Sequence, residues 1–249
     1  MHRLFLAGML AIAGSSVAQA TPTTELVANG SFEASSYTAN HEFSSRTGTP
    51  TVGTPATTQG VTGWTGGGFA LYFIAGTQST TPAITEFNDN QNYLSSNVVL
   101  SPDGGNFVAL DGDTSAGNGY QASVSQTING LTVGVQYDLN FDWAAAQLQN
   151  RTGATTEQVE VQLGDSIQYT QVVNNPSAGF TGWFQQGLSF TATSTSEVLS
   201  FLSIGTPVGL PPMVLLDGVS LKQAVPEPAS LALLGVGLLG LCAMARRRA

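Results

Sequence analysis

The sequence predicts an all-β domain, an antiparallel β-sandwich or barrel, and three observations predict it. Apolar and polar residues alternate with period two over several short runs, as they do when a strand has one buried and one wet face. Turn-forming residues separate those runs at Asn129-Gly130, Gly164-Asp165, Asn174-Asn175-Pro176 and Gly182. Between the two ends of the chain no stretch sustains the 3.6-residue period of an amphipathic helix.

The chain opens Met1-His2-Arg3, runs apolar from Leu4 to Ala13 and reaches Ala18-Gln19-Ala20. A short basic start, an apolar stretch too brief to span a bilayer and an A-x-A site predict a secretory signal peptide over residues 1–20, with the mature protein starting at Thr21. A buried N-terminal helix is the weaker alternative, because no polar face makes it amphipathic. Residues 21–224 are then expected to form one exported β-sandwich domain. Its segment Ala34 to Gly60 is rich in Ser, Thr, Ala and Gly and reads as a polar insertion or long loop.

The strands follow in order. Asn106 to Leu110 is more continuously apolar, as in a strand buried on both sides. Tyr137, Leu139, Phe141 and Trp143 alternate with Asp138, Asn140 and Asp142. Val159, Val161 and Leu163 alternate with Gln158, Glu160 and Gln162, and Leu188, Phe190 and Ala192 repeat the pattern. Val198 to Ile204 is again more continuous, and Leu215 to Leu221 closes the domain.

The last segment, residues 225–249, begins Val225-Pro226-Glu227-Pro228, where two prolines break regular structure. Ala229 to Ala245 carries no charge and would reach roughly 25 Å as a helix, inside the range membranes tolerate. Arg246-Arg247-Arg248 would stay in the cytosol, leaving everything before it outside. Pro226, Glu227 and Pro228, the apolar helix and Arg246, Arg247 and Arg248 together resemble the PEP-CTERM sorting signal of Gram-negative bacteria. That resemblance implies a transmembrane helix serving as a temporary anchor at the inner membrane, an exosortase-like membrane protease as partner, and a role beside exopolysaccharide in a biofilm. The expected destination is the cell surface or the extracellular space.

Composition excludes several functions. From Thr21 to Ala224 the cations are Arg46, Arg151 and Lys222 against fifteen carboxylates, a formal charge of −12. Nucleic acid and anionic lipid are poor partners for such a surface. The lone cysteine, Cys242, lies in the tail, so the exported part has neither a disulfide framework nor a thiolate site. His41 is the exported part's one histidine and falls in the polar segment, where a solvated loop residue is expected. No G-x-S-x-G occurs, and Gly66-Gly67-Gly68 lacks the spacing and lysine of a phosphate loop. Asp111-Gly112-Asp113 begins like a calcium loop but has Ala116 and Ala122 where that template needs glycine and glutamate, so it reads as a polar turn, with a ligand-contact loop as the alternative.

Four motifs carry a second resemblance: Leu26-Val27-Ala28-Asn29-Gly30-Ser31-Phe32-Glu33, then Gly63-Trp64, then Gln126 to Leu131, and Leu215-Leu216-Asp217-Gly218-Val219-Ser220-Leu221. In this order they resemble the galactose-binding-like jelly rolls, a superfamily with many carbohydrate-binding modules. The resemblance implies two face-packed antiparallel sheets with the first and last strands adjacent.

Asp217 shares strand phase with Leu215, Val219 and Leu221, so alternation points its carboxylate inward, where an unpaired charge is costly. With three cations to draw on, a bound metal is a natural counter-charge, and Ca²⁺ prefers hard oxygen ligands. Glu33 would join Asp217 if the terminal strands are neighbours, and the resemblance agrees, since many such jelly rolls hold a structural calcium between motifs of this kind. The alternative is Asp217 accepting backbone hydrogen bonds in a bulge or turn at Gly218. Trp143 follows the buried phase of its strand. Trp64 and Trp183 each follow a glycine near a strand edge, where they either present a flat face to a sugar ring or pack into the core. The function expected from all this is non-catalytic: an exported, transiently anchored β-sandwich that binds glycan or contributes to the matrix. The rivals are a secreted glycoside hydrolase using carboxylates alone and a purely structural surface protein.

Overall fold

A computed structural model of the chain describes residues 23–42, 60–77, 94–95, 97–114, 120–148 and 151–225. The signal peptide, the sorting motif with its apolar helix, and most of the polar insertion lie outside the described residues.

The described residues form β1 (His41–Glu42), β2 (Thr65–Gly67), β3 (Ala70–Phe73), β4 (Phe107–Asp111), β5 (Ser123–Asn129), β6 (Gln136–Gln147), β7 (Thr155–Leu163), β8 (Ser166–Tyr169), β9 (Val173–Asn175), β10 (Phe184–Thr191), β11 (Ser196–Thr206) and β12 (Pro212–Gln223). They make two antiparallel sheets. The first has the order β1-β3-β4-β12-β6-β10; the second has β2-β5-β11-β7-β8, with β9 also on β7. No helix among the described residues is long and apolar enough to cross a membrane. The alternating runs read from the sequence coincide with β6, β7 and β10, with Ala192 one residue past β10, and the two continuous ones with β4 and β11, with Asn106 just before β4.

The main core lies between the sheets. Tyr137, Leu139, Phe141 and Trp143 of β6 meet Val159, Val161 and Leu163 of β7 and Phe201 of β11 there. A second apolar cluster covers part of the first sheet's outer face: Leu71, Phe73, Phe107, Ala109, Ala144, Ala146, Met213 and Leu215 pack with Leu94 and Val98 and with the partly buried Phe180 and Trp183. Two-sided burial explains why β4 and the first half of β12 read as continuous apolar runs and why alternation in β6 ends at Trp143. The first sheet's outer face is therefore dry at one end and polar at the other.

The N-terminal motif has a local cause. Asn29 has φ 53°, and its side-chain amide donates to the carbonyls of Ala34 and Thr62 while its Oδ1 accepts from Ala34 N–H. A Cβ on Gly30 would fall 1.8 Å from the Val219 carbonyl oxygen, so only glycine lets the strand-like 25–30 segment lie against β12. Leu26 N–H donates to Leu221 O, and Val219 N–H to Gly30 O, both at 3.0 Å. The two ends of the domain are thus adjacent, although the first segment is hydrogen-bonded chain rather than a regular strand. His41 is not a loose loop residue: it lies in β1 opposite Tyr72 and stacks on Tyr37 with ring centroids 3.9 Å apart.

Candidate functional site

Asp217 is fully buried, but not in the core where strand phase alone places it. The pairing of β12 with β6 shifts between Asp217 and Ser220, and Gly218 sits there at φ 59°. This bulge reverses the phase. Leu215 and Asp217 share the first sheet's outer face, while Val219 and Leu221 return to the inter-sheet core. A Cβ at Gly218 would stand 3.0 Å from Asp142 Oδ2 and 3.4 Å from Asp103 Cβ, so close approach demands glycine as much as the dihedral does.

What buries Asp217 is the segment from residue 97 to 106, which crosses the outer face. Trp183 Nε1–H donates to Val99 O at 2.9 Å. Ser101 donates its hydroxyl to Asp217 Oδ2. Gly104 and Gly105, both at positive φ, turn the chain, and Asn106 donates its backbone N–H to Glu33 Oε1 at 2.6 Å and its amide to Glu33 Oε2 at 2.9 Å. One segment therefore ties together Glu33, Asp217 and Trp183, three of the four binding residues read from the sequence.

The electrostatics of this segment are unfavourable without a counter-charge. Burial pushes the Asp217 carboxyl up to about 8; the bonds from Ser101 and the Gly218 backbone pull it down, and the charges of Asp103 and Glu33 raise it further. Asp142 opposite it is raised as well, by burial and then by Asp103. Asp217 Oδ1 is buried without a hydrogen-bond partner. An orphaned carboxylate oxygen among other carboxylates is the donor chemistry a hard cation uses. Among the described residues no three His, Cys, Asp or Glu side chains converge closely enough to hold a metal by themselves. Any ion at Asp217 and Glu33 would therefore need further oxygens from other groups, and both Glu33 oxygens already accept from Asn106.

Beside this segment the same outer face opens into a groove of about 350 Å³ lined by Asn140, Phe141, Asp142, Gln185, Gln186, Gly187 and Gly218. Gln185 lies opposite Asp142, and Gly187 opposite Asn140. Trp183, partly buried, precedes Gln185 and Gly187 in the same strand phase and packs edge-on against Phe107 with centroids 5.7 Å apart. Trp64, by contrast, is not a surface platform. It is 2% exposed, lies against Phe32 and Phe201, and donates Nε1–H to Asn29 O at 2.9 Å. Its position after Gly63 places it under the N-terminal turn, so its ring is core and cannot meet a ligand.

Residues 25–209 match the family described as protein of unknown function (DUF642). The chain belongs to this family. Residues 224–248 match the PEP-CTERM protein-sorting motif, so the resemblance read in the tail is shown. The match to the DUF642 family takes in Glu33, the 97–106 segment, Asp142 and Trp183, and ends before β12. Among solved structures the DUF642 chain is similar to a CBM61 module in complex with β-1,4-galactotriose, at 15% identity, covering 81% of this chain and 99% of that one with a TM-score of 0.44. It is also similar to the CBM22-1 xylan-binding domain of Paenibacillus barcinonensis Xyn10C, at 14% identity over 78% and 99%, TM-score 0.36. An arabinose-bound GH51 α-L-arabinofuranosidase is similar at 14% identity over 82% of this chain and 27% of that one, TM-score 0.43. None of the curated proteins compared with the chain matches it.

Ser101, Asp103, Asp142 and Gln185 of this DUF642 domain carry no motif and were not singled out from the sequence. The available signals were Asp142 between two core aromatics and Asp103-Gly104-Gly105 as a turn. Neither says that they meet.

Proposed function

We propose that the chain is an exported, non-catalytic glycan-binding β-sandwich, delivered through its PEP-CTERM tail by an exosortase-type membrane protein and retained at the cell surface or in the matrix. The observation that carries the reading is the outer-face groove. The amides of Asn140, Gln185 and Gln186 and the Asp142 carboxylate along it, the glycines Gly187 and Gly218, and the partly buried Trp183 two residues before Gln185 supply the mixture of flat apolar face and few convergent polar groups that a sugar ring requires. The charge of the exported part favours a neutral glycan over an anionic one. Calcium at Asp217 and Glu33 is part of the proposal: it would neutralise the carboxylates under the 97–106 segment and so hold Val99 against Trp183. The sorting motif supports the delivery route.

The test is titration calorimetry of the purified domain against neutral oligosaccharides selected on a glycan array, with and without chelator. Trp183→Ala should weaken binding about tenfold, the equivalent of about 1.4 kcal/mol, and Gln185→Ala should weaken it as well. Unchanged affinity in both variants would remove the groove from the reading.

A second surface is favoured by one specific observation. Tyr169 is 51% exposed on the outer face of edge strand β8, opposite Glu160, which hydrogen-bonds its hydroxyl. The same sheet face carries a groove of about 440 Å³ with Thr65, Ser125, Thr127 and Asn129 along it. If Tyr169→Ala and not Trp183→Ala abolishes binding, the glycan lies there.

A further inference from the structure

Building on the glycan-binding reading, on which this step depends, we infer that the outer-face groove is walled at one end and takes the free end of a neutral glycan chain, not a stretch from its middle.

The wall is the 97–106 segment, which crosses all three strands that carry the groove. On β10 it crosses at Trp183, whose indole N–H donates to Val99 O at 2.9 Å. On β12 it crosses at Asp217, which accepts from the Ser101 hydroxyl, and at Gly218, where a Cβ would stand 3.4 Å from Asp103 Cβ and 3.7 Å from its Cγ. Between them, exposure falls along the outer face of β6. Asn140 is exposed, Asp142 is 8% exposed, and Ala144 and Ala146 are fully buried. Paired β12 shows the same fall, from exposed Lys222 through half-buried Ser220 to fully buried Asp217 and Leu215. The wall is held in place from both sides. Val98 packs into the apolar cluster with Leu215, Gly104 N–H donates to Ser101 O at 3.0 Å, and Asn106 is bonded twice to Glu33. In the opposite direction the outer face stays exposed at Gln136, Ser189, Thr191 and Lys222. There Ser189 donates to Asp138 Oδ1 at 2.7 Å, and Lys222 lies 3.7 Å from Glu25. From Asp142 to Asp138 this lane runs about 14 Å along the strand.

A residue inside a chain continues on both sides through glycosidic oxygens that carry no hydrogen. A groove stopped by a wall leaves no path for the second continuation. Asp142 lines the groove where the wall begins, and its ionised carboxylate accepts hydrogen bonds without donating any. The partner it calls for is a hydroxyl, and at the wall that is the hydroxyl which a terminal residue keeps and an internal one has lost to the linkage. A site built to bond a hydroxyl rejects the analogue that lacks it. Asp103 adds a second negative charge at the same place, so an end residue carrying a carboxylate or phosphate is repelled. The ligand class is therefore a neutral terminal sugar with its chain leaving over Asn140 and Gly187 toward Ser189.

The exported protein titrated with β-1,4-galactan, pullulan and laminarin, each intact and cut to shorter chains, tests this. For a polysaccharide that is bound, cutting its chains to about a tenth of their length should raise the protein bound per unit mass about tenfold, because a site that reads a terminal hydroxyl counts ends. Borohydride reduction blocks one end and ketal formation blocks the other, and one of the two treatments should abolish binding. Asp142→Ala should weaken it about tenfold or more. Gly187→Tyr should abolish it with the melting temperature unchanged, since a Cβ there meets only Asn140 Oδ1, at 3.3 Å, and the ring then fills the groove. Binding in proportion to mass whatever the chain length, binding that survives both blocked ends, or a Gly187→Tyr protein that binds as wild type would each overturn the inference and leave the glycan reading standing. Binding to none of the three would overturn both.

Discussion

Asp217→Asn is the substitution that most directly probes the 97–106 segment. The Asp217 carboxyl stands at about 8 in the folded protein against an ordinary value of 3.8. Because the folded state keeps the proton to a higher pH than the unfolded chain does, stability present at acid pH is lost as pH rises toward 8. At 1.36 kcal/mol per unit, the metal-free wild type should lose about 4 kcal/mol more than Asp217→Asn between pH 5 and pH 8.5. For a domain of this size that is roughly 10 °C in melting temperature. Calcium reverses the sign, since it binds the deprotonated carboxylate and only in the folded state. At ~100 times its dissociation constant it should add about 2.7 kcal/mol to wild type at pH 8 and little to the variant. The assay is urea and thermal unfolding from pH 5 to pH 9, with EDTA and then with added calcium, in protein first stripped of metal. Parallel pH curves for the two proteins in EDTA would refute the buried acid. A wild-type curve unmoved by calcium at pH 8 would leave Asp217 to Ser101 and the Gly218 backbone alone.

Gly218→Ala should cost about 1–2 kcal/mol, since a side chain at φ 59° is strained and would crowd Asp142 and Asp103; urea midpoints decide it. Trp64→Ala should destabilise the domain by about 3–5 kcal/mol while sugar preference among the molecules still folded stays as in wild type, and a changed preference would put Trp64 back at a ligand surface. Mass spectrometry of protein recovered from outside the cell should find Thr21 as the first residue and Arg246 to Arg248 absent, whereas intact ends would contradict both processing steps.

Much of the fold is legible in residue order because it depends on local chemistry. Period-two alternation in Tyr137 to Trp143 and in Gln158 to Leu163 follows from the pleat itself, and each run is a strand with its aromatic or branched face in the core. The Asn29-Gly30-Ser31-Phe32 turn is equally local, held by the Asn29 side chain and a glycine that no other residue replaces beside Val219. That the first motif lies beside the 215–221 motif was expected from resemblance, and Leu26 and Gly30 do bond Leu221 and Val219, whereas Glu33 itself is bonded to Asn106.

What alternation does not carry is a change of phase. Asp217 counts as inward in the sequence because a strand is assumed regular, and the bulge at Gly218 moves it to the opposite face. Trp64 and Trp183 are alike in sequence, each after a glycine. One is sealed under the N-terminal turn and the other stands beside a groove because of what crosses above them, chain segments distant in sequence. The amino-acid sequence by itself determined the strands, the acidity of the exported part and the sorting tail, all set by neighbours along the chain. Which carboxylates approach one another and which tryptophan is sealed in the core were decided only by the tertiary structure, because burial and charge proximity are properties of surfaces brought together from far apart.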